Sequence, residues 1–70
     1  MTDAMPVTVN GEHRTVEPGL SVADLVALLA AGPKGIAVAR NEDVVPRSAW
    51  ADTVMQAGDR VEILDAAQGG

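Results

Sequence analysis

Cysteine, phenylalanine and tyrosine are absent from this 70-residue chain, which has a single tryptophan and a single histidine, His13. Without cysteine the chain forms no disulfide, no thiolate metal site and no reactive thiol of its own. One histidine excludes a multi-histidine metal site. A chain this short buries only about 60% of its unfolded surface, so its stability margin is thin. Apolar residues make up 47% of the sequence, which is enough for one core.

Basic residues are also scarce, with five Lys and Arg against ten Asp and Glu and a net charge of −5. Binding of nucleic acid needs a basic footprint to neutralise phosphates and aromatic side chains for stacking, so this function is excluded. An acidic surface instead fits a protein partner that presents basic residues.

No apolar run approaches the eighteen or so residues of a membrane span. The first residues, 1–4, carry an acid where a secretory signal would carry basic residues. The sequence therefore predicts a cytoplasmic protein without membrane contact. Residues 1–4 are predicted to be an unstructured lead-in, and either Met1 or Met5 fits as the start.

Alternation and turn signals predict an opening β-hairpin. Val7 and Val9 alternate with polar residues, Asn10-Gly11 is the dipeptide that favours a type I′ turn, and 12–17 forms the returning strand.

Capping signals predict a helix over about 22–31. Ser21 is a suitable N-cap, Asp24 three residues later completes a capping box, and Leu20 with Leu25 can form a hydrophobic staple. Gly32-Pro33 ends the helix. An apolar stripe at helical spacing comprises Val22, Leu25, Val26 and Leu29.

The second half of the chain predicts three further strands. The continuous apolar run 36–39 indicates a strand buried on both faces. After a turn at 41–43 a short strand at Val44-Val45 ends at Pro46, and a connection over 47–52 holds Trp50 with one helical turn. Following a turn at 57–59, the last strand occupies 60–64.

One helix among five strands predicts an α+β fold, a mixed sheet packed on one main helix in the ubiquitin-like β-grasp arrangement. The crossover rule favours the strand after the helix running parallel to a neighbour of the hairpin. The domain is predicted to span 1–65, followed by a flexible Gly-Gly tail over 66–70.

The body of the domain offers no catalytic group. His13 is an exposed strand residue, Ser21 is explained by its capping role, and the acids at 42–43 and Asp52 belong to a solvated face. Arg40 and Arg47 could bind an anion, but two arginines in a chain of this length do not by themselves indicate a binding site. The glycines lack phosphate-loop spacing.

The chemistry is therefore assigned to the tail, which ends on Gly69 and Gly70. A carboxylate is an anion at neutral pH and a poor electrophile, but an acyl-adenylate has a good leaving group that a sulfur nucleophile displaces. Extended at about 3.4 Å per residue, 66–70 reach about 17 Å, enough to enter a partner's pocket. Any side chain at position 69 or 70 would widen this thread.

The chain resembles the ThiS family of sulfur carriers of thiamine biosynthesis over about residues 5–70. The resemblance lies in the segments Val9-Asn10-Gly11, 21–25, 36–41, 44–50, 58–64 and Gln68-Gly69-Gly70. The resemblance is most specific where Val-Pro-Arg-x-x-Trp, Gly-Asp and the terminal Gly-Gly occur together in one chain.

The resemblance implies that a ubiquitin-activating-like (ThiF-like) adenylyltransferase adenylates Gly70 with Mg-ATP. The carboxyl group then becomes a thiocarboxylate with sulfur from a donor such as a cysteine desulfurase, and thiazole synthase (ThiG-like) takes that sulfur. The chain itself binds no cofactor and no metal and is not an enzyme. As in other β-grasp proteins, the sheet face opposite the helix is a candidate docking surface, with Val7, Val9, Ile63 and Leu64 as candidates.

Three other functions remain open. A molybdopterin-type carrier shares the tail chemistry, although this chain lacks phenylalanine and has the Pro-Arg-x-x-Trp segment that those relatives usually lack. A ubiquitin-like modifier would be attached through Gly70 to lysines. A non-covalent interaction module would have an incidental Gly-Gly ending.

Overall fold

The computed structural model describes residues 4–29 and 35–65. Its elements follow one another as strands β1 (Met5–Val9) and β2 (Glu12–Val16), helix α1 (Val22–Leu29), strands β3 (Ile36–Arg40) and β4 (Asp43–Val45), a 3₁₀ helix (Arg47–Asp52) and strand β5 (Arg60–Asp65). Within these ranges the strands form one five-stranded sheet of order β2-β1-β5-β3-β4. Helix α1 packs on one face of the sheet. The predicted β-grasp arrangement is therefore confirmed.

The sheet is mixed, but the predicted parallel partner is wrong. Strand β3, which follows the helix, runs antiparallel to both of its neighbours, β5 and β4. The parallel partner of the hairpin is β5, which lies beside β1. The crossover rule fixes the hand of a parallel connection but does not select which strand takes the place beside β1.

Two tight turns have the left-handed backbone that type I′ geometry requires. Asn10 and Gly11 have φ of 51° and 83°, which confirms the first hairpin. Asn41 and Glu42, with φ of 52° and 75°, connect β3 to β4 in the same way. Strand β4 accordingly begins at Asp43, which the sequence analysis placed in the turn.

The capping box of α1 is confirmed in both directions. The Asp24 backbone N–H donates to Ser21 Oγ and the Ser21 N–H donates to Asp24 Oδ2, each at 3.1 Å. Of the predicted apolar stripe, Leu29 is the exception because it is exposed. The predicted helix end and the Gly32-Pro33 stop signal lie outside the described residues.

The core lies between α1 and the inner face of the sheet. The prediction that β3 is buried on both faces is wrong, since Val38 is buried while Ala37 is exposed on the opposite face. Trp50 lies in the helical turn that the sequence predicted, and its side chain is part of the core. Buried apolar side chains comprise Val7, Val9, Val16, Val22, Leu25, Val26, Val38, Val45, Trp50, Met55 and Val61.

Across the described ranges, no helix combines the length and the apolar character that crossing a bilayer requires.

Candidate functional site

The two predicted site residues, Gly69 and Gly70, lie outside the described residues. The structure follows the chain to the end of β5 at Asp65, five positions before Gly70. The candidate site is therefore defined by what holds β5 in the sheet and by the surface around its end.

Strand β5 occupies the centre of the sheet but is held unequally by its neighbours. On one side β3 pairs with it through to its last residue, where Ile36 lies opposite Asp65. On the other side β1 pairs only with the first two residues of β5, Arg60 and Val61. Strand β1 then turns away at Asn10.

The side chain of Asn10 continues the pairing that β1 leaves unfinished. The backbone N–H of Ile63 donates to Asn10 Oδ1 at 2.8 Å, and Asn10 Nδ2 donates to the Ile63 carbonyl oxygen at 3.2 Å. The backbone N–H of Asn10 also donates to the Val61 carbonyl oxygen at 2.9 Å. One amide side chain thus holds both backbone groups of a residue near the end of β5.

A second asparagine performs a similar task at the beginning of β5. The Arg60 N–H donates to Asn41 Oδ1 at 2.9 Å, and the Asn41 backbone N–H donates to the Arg60 carbonyl oxygen at 2.7 Å. Asn41 Nδ2 further donates to Asp59 Oδ1 at 3.0 Å. The turns at Asn10 and Asn41 therefore hold β5 near its end and at its beginning.

Asp59 is the buried polar centre of this region, with 6% of its surface exposed. Its second carboxylate oxygen accepts hydrogen bonds from the Gln56 N–H at 2.9 Å and from the Arg40 guanidinium at 3.2 Å. Arg40 also donates to the Val54 carbonyl oxygen at 3.3 Å. Arg40 is thus engaged within the domain, and the structure gives it no role as an anion site.

The outer face of the sheet, opposite α1, carries an apolar patch beside the end of β5. Leu64 is 60% exposed and lies opposite Ala37 on β3, and Val44 on β4 is 77% exposed and lies opposite Ala39. We refer to Leu64, Ala37, Ala39 and Val44 as the outer-face patch. Of the docking candidates from sequence, Leu64 belongs to this patch.

The other three docking candidates do not face outward, so naming them as docking residues was wrong. Val7 and Val9 point into the core, and Ile63 is partly buried and packs against it. Alternation alone gives two faces without saying which of them the helix covers, so the pairing register was needed to decide.

Charged side chains border the outer-face patch. Glu62 lies opposite Ala39 on the same face, and Arg60 donates to the Glu42 carboxylate at 3.1 Å. The Arg60–Glu42 pair is exposed to solvent, so its contribution to stability is small. An apolar centre with a charged rim is the usual composition of a protein-binding surface.

An open groove of about 510 Å³ lies on the other side of the domain, between β2 and α1. Its wall includes Arg14, Leu25 and Leu28, and Leu28 is 69% exposed. The groove has no polar group that is both buried and unpaired, since every buried side-chain polar atom among the described residues has a partner.

The remaining residues singled out in the sequence either have structural roles or are exposed to solvent. His13 is exposed on β2, as predicted, and Ser21 caps α1. Arg47 is exposed and forms none of the ion pairs found within 4–29 and 35–65. In the same ranges no group of three or more potential metal ligands comes together.

The fold defines a small ubiquitin-like β-grasp domain in which β5 lies next to an exposed apolar patch. A crystal structure of the thiamine biosynthesis protein ThiS from Geobacter metallireducens superposes with a TM-score of 0.77 and 38% identity, covering 86% of this chain and 91% of that one. The ThiS family model matches residues 7–70. This chain belongs to the ThiS family.

Similar sequences occur in two kinds of protein. The sulfur carrier protein ThiS of Escherichia coli K12 is 30% identical over 66 residues, which is 94% of this chain and all of that protein. Thiazole synthases of Paramagnetospirillum magneticum and Magnetococcus marinus are each 33% identical over 66 residues. The chain spans only 20% of the length of these thiazole synthases.

The roles of Asn10, Asn41 and Asp59 were missed by the sequence analysis. Their segments had been noted as turns and as parts of the family resemblance, but the partners of their side chains lie far away along the chain. Asn10 and Ile63 are separated by 53 positions.

Proposed function

We propose that this chain is a sulfur carrier that delivers sulfur for the thiazole ring of thiamine, with its C-terminal carboxyl group at Gly70 as the reactive group. The observation that carries the proposal is the ThiS family match, which runs through the domain and includes Gly69 and Gly70. Further support comes from the E. coli sulfur carrier, which this chain matches over its whole length.

The proposed chemistry has two steps on the terminal carboxyl group. A carboxylate oxygen of Gly70 attacks the α-phosphorus of Mg-ATP on the partner, forming an acyl-adenylate and releasing pyrophosphate. A thiol reduces the donor's persulfide, forming a disulfide with the donor and releasing sulfide; the sulfide then attacks the acyl carbon and AMP leaves, which yields the thiocarboxylate. The energy comes from ATP bound by the partner, so the chain is a co-substrate and not an enzyme. Gly69 keeps the entering segment narrow.

Two partners would share the outer-face patch. The first is a ubiquitin-activating-like adenylyltransferase, and the second is thiazole synthase, with a cysteine desulfurase as sulfur donor. Support for the second comes from the two thiazole synthases that contain a segment similar to this chain. The patch lies next to the strand that leads to Gly70, and the net charge of −5 favours partners with basic surfaces.

The test is intact-mass analysis after incubation with the adenylyltransferase, Mg-ATP and a sulfur source. We expect a gain equal to the replacement of one oxygen by sulfur, mapped by fragmentation to Gly70. The matched control carries one additional residue after Gly70 and should remain unmodified. No mass change in the presence of an adenylyltransferase that activates its own carrier would contradict the proposal.

Two further measurements separate sulfur carriage for thiazole from the alternatives. The thiocarboxylate form should transfer sulfur to thiazole synthase and should not support the large subunit of molybdopterin synthase. A protein modifier would instead appear as adducts of higher mass linked from Gly70 to lysines. Transfer of sulfur in cytosolic extract without such adducts is the expected result.

A further inference from the structure

We infer that Asn10 is a positioning residue for the reactive tail: its side-chain amide holds Ile63 on the β1 side of β5, so that the strand leading to Gly70 is held from both sides up to that residue. This inference rests on the proposed function of Gly70. The observation behind it is the pair of hydrogen bonds between the Asn10 amide and the backbone of Ile63.

The pairing on the β1 side of β5 explains why this one side chain matters. Backbone pairing with β1 ends at Val61, so Asn10 supplies the last contact that the hairpin makes with β5. Beyond Ile63, β5 pairs with β3 alone among the described strands, at Leu64 and Asp65. The Asn10 amide therefore occupies the position that the next residue of a longer β1 would have taken.

Turn geometry alone would explain an asparagine at this position, because asparagine tolerates the left-handed backbone. Glycine tolerates it equally well, so the turn by itself does not require the amide. Asn41 provides an internal comparison, since it has nearly the same φ (52° against 51°) and also bonds the backbone of β5. It does so at Arg60, the end of β5 that is remote from Gly70.

Loss of the Asn10 amide would leave the end of β5 held by β3 alone, so that Ile63–Asp65 would spend more time out of the sheet. When they do, the last residue that the described sheet holds is Glu62, eight positions before Gly70, instead of Asp65, five positions before it. The effective concentration of the terminus in a partner's pocket falls with about the −3/2 power of length, which is about a twofold loss. Because β3 still pairs with Ile63–Asp65, these residues are released only part of the time, and the cost of ordering them again on binding raises the total loss to no more than about tenfold. We therefore expect a two- to tenfold effect.

The experiment compares Asn10→Gly with Asn41→Gly, each of which preserves the turn and removes one amide that holds β5. Activation is measured as carrier-dependent ATP–pyrophosphate exchange by the adenylyltransferase, with the carrier titrated to saturation. Tail insertion follows docking of the domain, so Asn10→Gly should lower kcat about two- to tenfold. A variant that is merely less stable supplies less folded carrier, which raises the apparent KM and leaves kcat unchanged. Asn41→Gly should therefore raise the apparent KM and leave kcat unchanged.

Amide hydrogen exchange provides a readout that is independent of the partner. In Asn10→Gly we expect exchange at the Ile63 amide to accelerate about fivefold, with Arg60 unaffected, and in Asn41→Gly the reverse. Asn10→Asp keeps the acceptor for the Ile63 N–H and loses the donor, so it should fall between the wild type and Asn10→Gly in both measurements.

The outcomes distinguish this inference from the proposed function. If the wild-type chain supports no ATP–pyrophosphate exchange with an adenylyltransferase that activates its own carrier, the proposed function is wrong. The positioning role of Asn10 is then wrong as well. If the wild type is active, then an unchanged kcat in Asn10→Gly, or an equal loss of kcat in Asn41→Gly, overturns the positioning role alone.

Discussion

The indole N–H of Trp50 donates a hydrogen bond to the backbone carbonyl oxygen of Val45 at 2.9 Å, and both residues are buried. Val45 ends β4 and Trp50 lies in the 3₁₀ helix, so this bond closes the connection around Pro46. The large apolar surface of the ring fills the core while its polar atom is satisfied within the domain.

Trp50→Phe should lower the free energy of unfolding by about 1–3 kcal/mol, because the buried hydrogen bond to the Val45 carbonyl oxygen is lost and the smaller ring leaves space in the core. Trp50→Ala should cost about 3–5 kcal/mol, since a cavity is added. Urea titration followed by far-UV circular dichroism measures both, because both variants lack the single tryptophan on which a fluorescence measurement would depend. Val44→Thr, at an exposed neighbour, is the control and should stay within about 0.5 kcal/mol. A Trp50→Phe protein as stable as the wild type would contradict the role given to this hydrogen bond.

Ser21→Ala should destabilise the domain by about 0.5–2 kcal/mol through loss of the N-cap of α1. Asp24→Ala removes the reciprocal bond, while Asp24→Asn retains an oxygen that can accept from the Ser21 N–H. Unfolding of the two alanine variants and of their double mutant gives the coupling energy. The loss in the double mutant should be smaller than the sum of the two single losses, because either change already breaks the reciprocal arrangement. Strict additivity would show that the two bonds act independently.

Local signals in the sequence predicted much of the fold. The Asn10-Gly11 turn and the Ser21–Asp24 capping box each depend on residues a few positions apart, and each formed as predicted. Trp50 was placed in a helical turn for the same reason.

Features that depend on distant pairing were not predictable in this way. The parallel place of β5 beside β1, and the outward orientation of Leu64, depend on which strands meet, and local patterns do not encode that choice. The bonds from Asn10 to Ile63 and from Asn41 to Asp59 likewise join segments that only the assembled sheet brings together. The reactive terminus, by contrast, was proposed from its own sequence and the family resemblance.

Asp59→Ala should reduce the free energy of unfolding by about 3 kcal/mol, because it leaves the partly buried Arg40 guanidinium and the Gln56 N–H without their acceptor. Glu42→Ala breaks the exposed pair with Arg60 and serves as the control, with an expected loss below about 1 kcal/mol. Chemical denaturation monitored by Trp50 fluorescence compares them directly. Equal losses in the two variants would mean that burial of Asp59 adds nothing to its interactions.

Leu64→Ser should weaken docking to the adenylyltransferase about tenfold, because Leu64 is the exposed apolar side chain nearest to the end of β5. Leu28→Ser is the matched control: it makes the same change at a leucine of similar exposure, 69% against 60%, in the groove on the other side of the domain. Both side chains are largely solvated in the free domain, so neither change should shift the free energy of unfolding by more than about 0.5 kcal/mol. Isothermal titration of each variant into the adenylyltransferase without ATP measures docking apart from chemistry. A loss of affinity in Leu28→Ser with none in Leu64→Ser would move the docking surface from the outer-face patch to the groove between β2 and α1.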